Sequence, residues 1–226
     1  MNVDCCCLDA SAFSLGFAAS HSGTLILGKS ENVLSDYVDP ITPGYVSEPQ
    51  TEEGRAFAEH LRKAGCVSPE GILDTPSLAP AAAEYALNGN FNVLLGVKII
   101  QCEKDRIRIY TNSGLQDIVC GRIIRRPEVK TDCKRLHCIV SETDRDTLTE
   151  LEKYGGNIYR SFEKDEFIVS LPFHSDCRLN EARIAFVNLF RACFGEGVRI
   201  DAFAADFAYD SPFGGIIEEF EAGVRS

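Results

Sequence analysis

Apolar and polar positions follow two different rhythms along the chain. Residues 3–8 form a cysteine-rich apolar run that reads as a buried strand, and residues 10–22 are small and apolar enough for a buried helix. Thr24-Leu25-Ile26-Leu27 then supplies a second strand after Gly23. Residues 28–50 lose the pattern, since Pro40, Pro43 and Pro49 block any long helix and predict a surface excursion. Thr51 opens a helix with the stripe Phe57, Ala58 and Leu61, and Gly65 closes it; Asp74 to Ser77 opens another that stops at Asn88-Gly89. A strand at 92–95 precedes strands at 97–103, 106–111 and 115–124, joined by Asn112-Ser113-Gly114 into an antiparallel meander. Pro127 ends it.

The second half runs strand 136–140, helix 144–154, strand 157–162, strand 167–171, helix 180–193 and strand 199–204. This βαββαβ order is the ferredoxin-like arrangement. Residues 1–127 and 128–226 therefore read as two units, joined through the basic run Arg122, Arg125, Arg126, Lys130, Lys134 and Arg135. Such a run is ordinarily a solvated connector; the alternative is a docking strip for an acidic partner or a phosphate. The tail, with Ile216, Ile217 and Phe220, predicts a short amphipathic helix that packs back or docks elsewhere.

Composition narrows the function. With 226 residues and 45% hydrophobic content the chain can bury a large core, and its net charge of −11 argues against nucleic acid or an anionic membrane as partner. No stretch approaches the roughly 20 apolar residues of a membrane span, and the first residues lack a signal-peptide pattern, which points to the cytoplasm. Ten cysteines without a C-x-x-C read as reduced, mostly buried thiols; Cys133, His137 and Cys138 make at most half a metal site, so no metal is expected. Among four histidines only His174, before Ser175-Asp176-Cys177, has a nucleophile and an acid close in sequence, and adjacent residues rarely converge on one point.

The strand, small-residue helix, Gly23-Thr24-Leu25-Ile26-Leu27 strand, long excursion, helix 75–87, the run Val93 to Ile100, meander and Asp117 to Ile124 together resemble FAD-dependent oxidoreductases of the two-dinucleotide-binding-domain type. The resemblance covers residues 3–127. It implies an α/β fold: a Rossmann-like, FAD/NAD-type unit with a small antiparallel meander, followed by the α+β ferredoxin-like unit. It also implies FAD as cofactor, lined at the positions of Cys7, Asp9, Ala12 and Lys29. There the chain departs from the family. Cys7, Asp9 and Ala12 stand where the three glycines of G-x-G-x-x-G belong, and the first two carry Cβ atoms that obstruct a pyrophosphate. Lys29-Ser30 replaces the acidic residue that binds the ribose, and Arg125-Arg126-Pro127-Glu128 replaces a late A-T-G-D-like turn. Asp9 admits two readings. Either Asp9 or Ser11 caps the first helix, or the site is retuned for a ligand without phosphate.

The expectation is a catalytically inactive or accessory flavoprotein-like subunit with an eroded dinucleotide site and no useful FAD affinity. The alternative is an FAD-dependent oxidoreductase acting on a small organic substrate through an atypical site. A homo-oligomer or a complex with another subunit is expected, with the strand 167–171 and Ile216, Ile217 and Phe220 as exposed candidates for the interface.

Overall fold

The computed structural model describes residues 1–89, 91–129, 131–195 and 197–226. The first part runs β1 (Asn2–Cys7), α1 (Ala12–Ser20), β2 (Thr24–Leu27), α2 (Ser35–Val38), α3 (Glu52–Lys63), α4 (Leu78–Asn88), β3 (Asn92–Leu94), β4 (Lys98–Cys102), β5 (Arg106–Thr111) and β6 (Gly114–Ile124). The second runs β7 (Cys133–Ser141), α5 (Arg145–Leu148), β8 (Asn157–Arg160), β9 (Phe167–His174), α6 (Leu179–Phe194), β10 (Arg199–Phe203) and α7 (Ile216–Val224).

Six strands form a mixed sheet in the order β3-β2-β1-β6-β5-β4. The first four are parallel neighbours, and β6 turns the sheet by pairing with β1 through residues 119–124 and antiparallel with β5 through 114–119. One face of β1 and β2 sends Cys7 and Ile26 into a core shared with α1, α3, α4 and α7. The other sends Cys6, Leu25 and Leu27 against Ile107, Ile109 and Ile118 of the meander. Both faces are covered, which is why the strands read as continuous apolar runs rather than alternating ones. The second sheet is antiparallel in the order β10-β7-β9-β8. Its core joins Leu136, Cys138, Val140 and Val169 to Phe186 and Phe190 of α6.

The excursion is not a free surface loop. Asp39 O accepts from the amides of Ala205 (2.6 Å) and Asp206 (3.1 Å), while Pro40 O lies 2.8 Å from His137 Nδ1 on β7. These bonds stitch the two sheets together. His137 is buried, and burial depresses its pKa to about 4, so it stands neutral and structural.

Three expectations are corrected. The tail does not expose its apolar face, because α7 returns to the first sheet and lies along α1, leaving Ile216, Ile217 and Phe220 at 0% exposure. Ile168, Val169 and Leu171 of β9 are likewise at most 3% exposed, since α6 covers one face of that sheet and the excursion reaches the other. The basic run is only partly a solvated connector: Arg122 and Arg125 are exposed, but Arg126 forms two ion pairs, Lys134 Nζ donates to Ser175 O (2.7 Å), and Arg135 Nε donates to Ser170 Oγ (2.7 Å). Lys130 lies outside the described residues. The helix expected over 144–154 is one α turn followed by 3₁₀ structure over Thr149–Tyr154, ended by Gly155 in the left-handed region.

Candidate functional site

Three chain segments converge at the carboxyl ends of β1, β2 and β6, the edge where open α/β sheets place ligands. The first is the turn from β1 into α1. Ser11 caps the helix by accepting from Ser14 N (3.3 Å). Asp9 Oδ1 in turn accepts from Ser11 N (3.1 Å), from Ser14 Oγ (2.8 Å) and from Ser11 Oγ. A carboxylate therefore holds the donors at the start of α1.

The second segment follows β2. Gly28 N donates to Leu94 O (2.9 Å), and a Cβ on Gly28 would stand 2.5 Å from Leu95 Cδ2 and 3.1 Å from Ala10 Cβ, so a side chain here would make Leu95 shift and crowd the first turn. Lys29 comes next and is exposed. The third is Arg125 to Glu128 after β6. Arg125 Nη2 lies 3.2 Å from Cys102 Sγ.

These segments border two adjoining cavities of about 700 and 600 Å³, and Asp9, Lys29, Arg126 and Glu128 line both. Cys7 and Ala12 line neither. Each is 0% exposed, because the pleat turns Cys7 into the helical layer and Ala12 begins the buried flank of α1. Burial pushes the Cys7 thiol up to about 12, which leaves it protonated and inert.

Beside the cleft sits a buried polar cluster that the sequence pattern did not single out. Arg126 donates to Asp36 Oδ2 (2.6 Å) from the excursion and to Glu219 Oε2 (2.8 Å) from α7. Tyr37 Oη donates to the same Glu219 oxygen at 3.1 Å, and Phe13 N lies 3.4 Å from its other oxygen. Burial raises the pKa of both carboxyls; Asp36 repels Glu219, and Arg126 opposes the rise in each. The signal was present in the tail: Glu219 falls one position before Phe220 and three after Ile216, inside the apolar stripe, and such a residue needs a buried partner.

Asp36, Asp39, Asp206 and Asp210 also border the second cavity, with Lys29 and Arg126 as the cations among the described residues there. Asp39 has its pKa raised by burial and by Asp206, so the acids feel one another across the cleft. Asp9 is at odds with the usual diphosphate contact of FAD, since it is already bonded to donors at the start of α1 in a cleft lined by further carboxylates. The Lys29 side chain donates only, where an acidic residue would accept from a ribose hydroxyl.

His174, the last residue of β9, and Asp176 just after it lie 3.5 Å apart with side chains 71% and 90% exposed. Cys133 is exposed, while His137 and Cys138 point to opposite faces of β7, and no group of three or more metal-binding side chains occurs among the described residues. No helix among those residues is long and apolar enough to cross a membrane.

The sequence matches no family model and no curated protein. Its fold does match solved structures. A flavoprotein/dehydrogenase from Cytophaga hutchinsonii aligns with TM-score 0.58 at 12% identity, over 100% of this chain and 76% of that one. The p-nitrophenol 4-monooxygenase PnpA from Pseudomonas putida DLL-E4 aligns with TM-score 0.52 at 7% identity, over 89% of this chain and 66% of that one. The halogenase PltM, solved in complex with phloroglucinol and FAD, aligns with TM-score 0.55 at 12% identity, over 99% and 68%. The chain shares the fold of these solved structures and spans about two thirds to three quarters of their lengths.

Proposed function

We propose that this is a flavoprotein-fold protein that does not carry FAD in the usual mode and serves as a non-catalytic or accessory subunit. The observation behind the reading is Asp9, whose carboxylate takes three donors at the start of α1 that a diphosphate would otherwise use. In this reading the first unit is a dinucleotide-binding scaffold, supported by its parallel β3-β2-β1-β6 core. The second is ferredoxin-like, supported by the order β10-β7-β9-β8, which is 4-1-3-2 for a βαββαβ chain. The boundary falls near residue 127, with α7 returned to the first unit. All ten cysteines are unpaired, which suits a reducing compartment such as the cytoplasm.

A second reading keeps FAD and makes the chain an oxidoreductase of a small organic substrate. It is favoured by the position of the cleft at the strand ends, by Lys29 and Arg125 on its wall, and by the FAD held by PltM on the same fold. The visible spectrum of protein purified without oxygen, followed by calorimetric titration with FAD, decides between them. Colourless protein without saturable heat is the expected result; tight binding at low micromolar FAD overturns the first reading. Light scattering over a concentration series and affinity capture from native cells test the subunit role. A strict monomer that captures nothing removes it.

A further inference from the structure

The turn that rejects the cofactor is itself fully organised. Helix α1 has nine residues, and the donors at its start include the amides of Ser11, Phe13 and Ser14 and the hydroxyls of Ser11 and Ser14. Asp9 Oδ1 takes the Ser11 amide and both hydroxyls, Ser11 Oγ takes the Ser14 amide, and Glu219 Oε1 lies 3.4 Å from Phe13 N. The turn is fixed from outside as well. Ala10 O accepts from Leu34 N at 2.8 Å, and Leu34 holds a left-handed φ of 57° to reach it. Gly28 closes against Ala10 from the other side.

We infer that Asp9 is an internal substitute for a phosphate: an autoinhibitory contact in which the chain's own carboxylate satisfies the α1 N-terminus and shuts the adjoining cleft to phosphate-bearing ligands. The inference rests on the reading of the site as one without FAD, and deepens it by assigning the exclusion to one side chain. Two features of the cleft make this specific to Asp9 rather than to general erosion. Lys29 and Arg125 still line the cavity beside it, so cations that could hold a phosphate are present. The serine donors also remain, and the carboxylate occupies three of the four.

Removing that carboxylate should therefore restore an anion site. Circular dichroism and calorimetry with inorganic pyrophosphate compare the wild type with Asp9→Gly and Asp9→Asn. The wild type should bind no pyrophosphate and show no pyrophosphate-dependent change in melting midpoint. Asp9→Gly should melt a few degrees lower in phosphate-free buffer, recover that loss in millimolar pyrophosphate, and give saturable heat. Asp9→Asn, which keeps an acceptor for the cap but loses the charge, should fold normally and bind pyrophosphate at least about tenfold more tightly than the wild type. It carries the test if the glycine variant does not fold. Folded variants that bind pyrophosphate no better than the wild type overturn the inference and leave the cofactor-free reading standing. Wild-type protein that binds FAD tightly overturns that reading instead, whatever the variants do.

Discussion

Along its flank, α1 meets α7 at two glycines: a Cβ on Gly16 would overlap Phe220 O, and one on Gly223 would overlap Phe13 O. At its N-terminus the same helix meets a carboxylate, where a glycine turn would admit a phosphate. The two regions are a few residues apart and obey different constraints. The flank has everything that close backbone packing requires, down to the absence of two methyl groups. The end has its serine donors engaged by a carboxylate from within the chain. The comparison teaches that the flank of this scaffold is held by close backbone packing. Phe57 stacked on Phe220 (centroids 4.4 Å apart) and Glu221 bonded to Thr51 N (2.6 Å) tie α3 to the same returning helix.

The largest effects should come from filling the flank. Gly223→Val or Gly16→Val puts a branched side chain into a facing backbone, which cannot rotate away. Either should cost about 4 kcal/mol or more, within reach of the whole stability of a domain. Urea denaturation measures it, and a loss below about 1 kcal/mol would break the comparison.

The next effect belongs to the buried cluster that joins the two regions. Arg126→Ala leaves Glu219, at 0% exposure, without its cation. Because the Arg126 and Asp36 side chains keep 21% and 29% exposure, the cost should be about 2 kcal/mol rather than the roughly 3–5 of a fully buried pair. It should be greatest at pH 8 and shrink in acid, where Glu219 can take a proton. Both carboxyls have folded pKa values raised above their unfolded ones, chiefly by burial. Their contribution to stability is therefore fully present below about pH 4 and is lost as pH rises toward neutrality. Glu219→Gln should flatten that fall in a series of melts from pH 5 to 8. Glu221 has the opposite sign: burial raises its pKa, but the Thr51 and Gln50 amides outweigh this and hold it low, so its contribution is lost only in more acid solution.

A milder perturbation separates backbone connection from packing. A protease should nick the exposed residues 127–129 or 132–133 between β6 and β7. The two fragments should then co-elute on size exclusion, because α7 belongs to the first sheet by packing and to the second fragment by sequence. Fragments that separate freely would show that the α1–α7 contact is weaker than its geometry implies.

Much of the fold was legible because its signals are local. Thr51 caps α3 by accepting from Gly54 N (2.9 Å), Gly65 closes the helix at φ 78°, and the alternation of Arg106 to Thr111 matches β5 residue for residue. What could not be read depends on long-range pairing. Arg126 looked like part of a solvated charge run, since its partners are 90 and 93 positions away. Ile216, Ile217 and Phe220 looked equally suited to a core or an interface, and only the bare flank of α1 decides between them. The site was legible as a departure from a motif. The serine donors that Asp9 engages were not, because capping and ligand exclusion involve the same few residues and differ only in geometry.

The smallest effect is the sharpest control on the comparison. Lys29 follows β2 at the edge of both cavities, with an exposed side chain, and joins no salt bridge among the described residues. A packing-held scaffold should not register its loss. Lys29→Ala should change stability by less than about 0.5 kcal/mol in urea denaturation, the range of surface substitutions remote from caps and cores. Combined with Asp9→Gly, the same change should weaken pyrophosphate binding, because a cation near the freed donors then has an anion to hold. An Lys29→Ala loss above about 1 kcal/mol in the wild-type background would mean that the cleft takes part in holding the fold, and the division between flank and cleft would have to be redrawn.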